Sequence, residues 1–197
     1  MNFRYYDLMS SLISGVLVAV SINIIFDLGF DYDAVPLMAV AYVIGYFVNA
    51  VSAILENLYF WTMGGKPSDV LLTPVNYRPY TGYERIKFYE TDHVINLLKI
   101  ELNDDNPSLG KMFGRAMAYS NDDEDTRVPD FNAQYAFSRV ILTTSLILSV
   151  LWLSNYYVVW WMWILAIFAV YMSWRRCKER GFYYAREVLT VYIKKNQ

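Results

Sequence analysis

The strongest constraint on this chain is where its charges are missing. Leu8–Phe26 runs for 19 residues without a charged side chain, 34–55 for 22 and 140–174 for 35. A helix rises ~1.5 Å per residue, so about 20 apolar residues match a hydrocarbon core ~30 Å thick. The first two stretches are each long enough for one crossing. The third is long enough for two shorter ones, and Ser154-Asn155-Tyr156-Tyr157 near its middle supplies a place for the chain to reverse. Core helices of soluble domains show apolar runs of only about 10–14 residues. Composition agrees, since 56% of the residues are hydrophobic and 18% charged, where soluble domains carry about 25% charge. The expected fold is an all-α membrane protein with four transmembrane helices, paired as two hairpins, and a small, mainly helical cytoplasmic domain.

The basic residues orient those helices. Arg4 precedes the first stretch, nine of the 17 Lys and Arg lie between Lys66 and Arg139, and seven between Arg175 and Lys195. The first outer loop carries Asp27, Asp31 and Asp33 with no base, and the turn at Asn155 carries no charge. Bases favour the cytoplasmic side, so both termini and the central segment are expected there. Trp152, Trp160, Trp161 and Trp163 then form an outer aromatic belt, with Trp61 and Trp174 at the inner boundary. Leu8–Phe26 is longer than a signal-peptide core, and no small-residue cleavage site follows it. A lone Cys177 makes no intramolecular disulfide, and Asn106-Pro107-Ser108 has the proline that forbids glycosylation. These features fit a bacterial inner membrane.

The chain divides into a first hairpin (1–61), a cytoplasmic insert (62–138), a second hairpin (139–174) and a tail helix (175–197). Within the insert, Gly64-Gly65-Lys66-Pro67-Ser68 stops a helix and starts a turn. The segment 74–90 reads as extended or irregular. A helix capped by Thr91 or Asp92 runs to about Leu102, and Ser108 caps another through about Tyr119. Asn121 to Asp125 is an acidic surface loop.

Helix two carries the candidate site. Tyr42, Gly45, Asn49, Ser52 and Glu56 follow spacings that place them on one face of an otherwise apolar helix. Lipid offers polar groups no partner, so that face has to be hidden. It is either a packing seam of small and hydrogen-bonding residues or the lining of a water-filled pore, with Glu56 forming a ring in an oligomer. Ser11, Gly15, Ala19 and Asn23 make a second small-residue stripe on helix one, read as a packing face. In the insert, Arg78, Tyr80, Arg85 and Lys87 interleave bases with aromatics. Such side chains can pair with phosphate and stack on bases, and are the candidate ligand-binding residues; a structural tyrosine cluster is the other reading.

No catalytic constellation emerges. His93 is the one histidine, too little for a zinc site with one distant cysteine. Gly64-Gly65-Lys66-Pro67 lacks the hydroxyl and first glycine of a P-loop. No metal, cofactor or enzyme activity is expected.

The whole-chain plan resembles the small multi-pass membrane effectors of bacterial anti-phage defence operons: the channel-like partners of nucleotidyltransferases in Hailong and CBASS systems, and the four-pass membrane component of Kiwa. The features that carry the resemblance are the four short helices, the 42–72 stretch with its polar stripe and Gly64-Gly65-Lys66-Pro67-Ser68, and the cytoplasmic insert. It implies a homo-oligomer, a tetramer by analogy, that permeabilises the inner membrane when a cytoplasmic nucleotide or oligonucleotide signal changes. The alternative is a non-conducting membrane sensor or scaffold that docks a cytoplasmic protein partner from the same operon.

Overall fold

The structure, a computed structural model, describes residues 3–29, 34–74, 88–121 and 126–196. Every regular element among them is helical: α1 (Phe3–Phe26), α2 (Ala34–Ile54), α3 (Glu56–Met63), α4 (Pro67–Leu71), α5 (Thr91–Leu102), α6 (Leu109–Asn121), α7 (Val128–Tyr156) and α8 (Trp160–Lys195). Helices α1, α2 and α7 are long and apolar enough to cross a membrane, so the chain is a helical membrane protein. The charge-free part of α8, residues 160–174, is shorter. At ~1.5 Å per residue it reaches about 22 Å before Arg175 and Arg176 follow.

The helices gather into two compact units. One comprises Met1–Glu56 and Ala133–Cys177, the other Asn57–Asn132 and Lys178–Gln197.

The first unit is built on a backbone-to-backbone crossing of α1 and α2. A Cβ added at Gly15 would lie 1.6 Å from the Ala41 carbonyl oxygen, and one at Gly45 would lie 1.7 Å from that of Ser11. Only glycine fits either place. Lipid gives apolar helices no hydrophobic reason to associate, so close approach and its dispersion contacts hold them. Ser11, Ser14, Gly15, Val18 and Ser21 are buried on α1, and Ala41, Gly45, Val48 and Ser52 on α2. Ala19 and Asn23, expected on the α1 stripe, are only partly covered. A step of four overshoots the helical turn of about 3.6 residues, so that line winds off the contact. Val18, Val48 and Val140 form a small apolar core joining α1, α2 and α7. The Trp152 indole donates to Ser21 Oγ at 3.2 Å, and the Ser145 and Ser173 hydroxyls meet at 2.9 Å. Buried hydroxyls are satisfied within their own helices: Ser14 donates to the Ser10 carbonyl at 2.7 Å, Ser52 to Asn49 at 2.7 Å and Thr144 to Val140 at 2.9 Å.

The second unit has an apolar core of its own. Val94 and Leu98 of α5, Met112 and Ala116 of α6, and Val188, Leu189, Tyr192 and Ile193 of α8 pack with Val70, Leu71 and Leu72. Spacings of three and four along α8 are those of a helix burying one face. Ser120 donates to the Val188 carbonyl at 3.0 Å, tying α6 to α8. Tyr192 donates to Glu101, which also binds Arg115 at 2.6 Å.

Several expected boundaries shift. Helix two does not run on to Trp61: Leu55 is a turn, and α3 starts at Glu56. Thr91 is not a cap; its hydroxyl donates to the Leu71 carbonyl at 3.2 Å, a tertiary contact. Ser108 does cap α6, accepting from the Lys111 amide at 3.3 Å. The tail helix is the end of α8, which runs unbroken from Trp160 to Lys195.

Candidate functional site at Glu56 and Arg139

The five stripe residues of helix two occupy different surroundings. Tyr42 is exposed, Gly45 and Ser52 are buried, and Asn49 is half-buried. Gly45 abuts Ser11 within the same chain. Glu56 sits just past the Leu55 turn, where its carboxylate meets α7. Arg139 Nη1 lies 2.8 Å from Glu56 Oε1, and the Tyr135 hydroxyl donates to the same oxygen at 2.9 Å.

Tyr135 and Arg139 are four residues apart on α7, hence on one face. The guanidinium carbon also stands 5.8 Å from the centre of the Tyr135 ring, within range of a cation–π attraction. The Glu56 side chain is 30% exposed and that of Arg139 only 15%. Taking two charges largely out of water costs several kcal/mol, which their attraction only about repays. Arg139 Nε is buried and has no hydrogen-bond partner among the described residues. The pair is therefore a poor stabiliser by itself, although each partner is costly to lose alone.

Cys177 completes the cluster. It is fully buried, and burial pushes its thiol up to about 12; Arg139 pulls the other way and Glu56 pushes further. The cluster lies wholly in the first unit, yet it gathers at the points where the chain leaves that unit. Glu56 and Cys177 are the last residues of their segments, and Tyr135 is the third residue of the segment starting at Ala133.

Arg139 was not a site expectation, because a base at the edge of an apolar stretch reads as a topology marker. The spacing Tyr135-x-x-x-Arg139 at the mouth of that stretch was the available signal. Arg78, Tyr80, Arg85 and Lys87 lie outside the described residues. His93 is exposed on α5. Among the described residues no three His, Cys, Asp or Glu side chains group as metal ligands.

Fold and site together define an all-helical membrane protein with a charged cluster in its first unit. The chain matches no protein-family model, no curated protein and no solved structure.

Proposed function

We propose that this is an oligomeric membrane effector, in which a cytoplasmic signal acts through the Glu56–Arg139 pair to open a path for ions. The observation that carries this reading is the pair itself: Glu56, the last residue of its segment of the first unit, is held to Arg139 of α7 with both side chains largely out of water. An ion pair that contributes little net stability can still serve to specify one of two packings. In this scheme the first half of α8 makes a fourth, short crossing, both termini lie in the cytoplasm of a bacterium, and the second unit receives the signal. The defence-effector resemblance makes that signal a nucleotide or oligonucleotide, bound at the segment holding Arg78, Tyr80, Arg85 and Lys87. It also makes four the favoured number of copies.

Gly45 and Ser52 are used inside the chain, so the conducting surface falls to Tyr42 and Asn49. This same economy favours a second reading, a non-conducting sensor or scaffold. Within Leu8–Phe26 and Pro36–Ile54, Tyr42 and Tyr46 are the exposed polar side chains among the described residues.

Membrane potential and oligomer size, measured on the same variants in cells, decide between them. In a channel, Glu56→Gln and Arg139→Gln both change depolarisation several-fold, while Asn49→Phe abolishes it in an intact oligomer. In a scaffold, none of the three alters the potential.

A further inference from the structure

We propose that α3 is an interfacial helix, lying in the inner headgroup layer with Leu58 and Trp61 turned into the lipid. Helix α3 is two-faced. Tyr59 and Met63, four residues apart, are 4% and 1% exposed; Leu58 and Trp61, three apart, are 51% and 79% exposed. Its buried side belongs to the protein, and its outer side presents an indole and an isobutyl group flanked by the exposed Asn57 and Thr62, the mixture of apolar and polar groups that a headgroup layer accepts.

The occupant of that outer side follows from chain continuity. Only Leu55 separates α3 from Ile54, the last residue of a membrane-crossing stretch. Eight residues of helix extend about 12 Å, so α3 has no length in which to leave the neighbourhood of the bilayer. The headgroup layer is where Trp settles, with its ring apolar and its N–H able to reach water or a lipid oxygen. Helix α3 also starts with a carboxylate that is already paired, so no bare charge is drawn toward the acyl chains.

The test uses the full chain in vesicles of phosphatidylethanolamine and phosphatidylglycerol. A polarity-sensitive fluorophore is attached at Trp61→Cys or, separately, at Leu58→Cys, each in a Cys177→Ala background and checked for monodisperse elution. Quenching several-fold stronger by a lipid nitroxide near the headgroup than by aqueous iodide, at both positions, is the expected result. Quenching by iodide alone would place α3 in water and overturn the proposal. Shielding from both quenchers would mean that protein, such as a second copy, covers the face, and would also overturn it. Should the cysteine variants fail to fold, Trp61→Phe gives the same answer. Of the six tryptophans, it must remove a component of the native emission that brominated lipids quench. Unchanged quenching would rule the lipid seat out.

Discussion

Cys177 reports on whether the charged cluster is as closed as its burial implies. Its thiol is held protonated by burial, with a value near 12 where an ordinary cysteine has 9.0. The thiolate is the nucleophile, so at pH 8 alkylation of the folded protein should be at least tenfold slower than in detergent-denatured protein. Liquid chromatography and mass spectrometry over a time course measure this directly. The linkage has a definite sign. Between pH 9 and 12 the folded state keeps a proton that the unfolded chain has released, so this residue's contribution to stability falls as pH rises. Below pH 9 it contributes no slope. Arg139 bears on the same experiment, because its charge pulls the thiol down. Arg139→Gln should therefore slow alkylation further unless it opens the cluster, in which case the rate rises toward the denatured value.

At the scale of elements, the two kinds of glycine in this chain make opposite predictions. Gly45→Ala places a methyl group against the Ser11 carbonyl, where neither backbone has a flexible end to move. The helices must separate, at a cost of about 1–3 kcal/mol. Gly15→Ala meets the same crossing from the other side, so the double variant should be less destabilised than the sum of the two. Gly114, inside α6, has nothing within 4 Å of an added Cβ. There alanine should stabilise by about 0.5–1 kcal/mol, through lost freedom of the unfolded chain. Thermal unfolding in detergent reads all four variants against the parent; equal midpoints for Gly45→Ala and the parent would deny the crossing. The crossing was partly legible in the sequence, since Gly15 and Gly45 both fell on small-residue stripes. Spacing alone left open whether that face meets a neighbour in the chain or a pore. The α2–α3 break at Leu55 was hidden, because no Gly or Pro marks it and the apolar pattern runs straight through. The Glu56–Arg139 contact was hidden for another reason: 83 positions separate the two residues, and periodicity speaks only of near neighbours.

For the molecule as a whole, the one-sided placement of bases makes orientation the next quantity to measure. In a Cys177→Ala background, a membrane-impermeant maleimide added to intact spheroplasts' periplasmic face should label Asp31→Cys and spare Ile100→Cys until the membrane is opened. The reverse pattern would invert the topology. Arg139 raises a different matter, one of timing. Translation at ~5–20 residues per second brings it out about 4–17 s after Glu56. The α1–α2 crossing needs nothing beyond Ile54 and can close while the ribosome is still working on the rest. During that interval the carboxylate is without Arg139, and its place beyond the end of α2 lets it wait in water. A nascent chain cut short before Tyr135 would thus be a closed hairpin whose Glu56 carboxylate lacks both of the side chains that hold it in the finished protein.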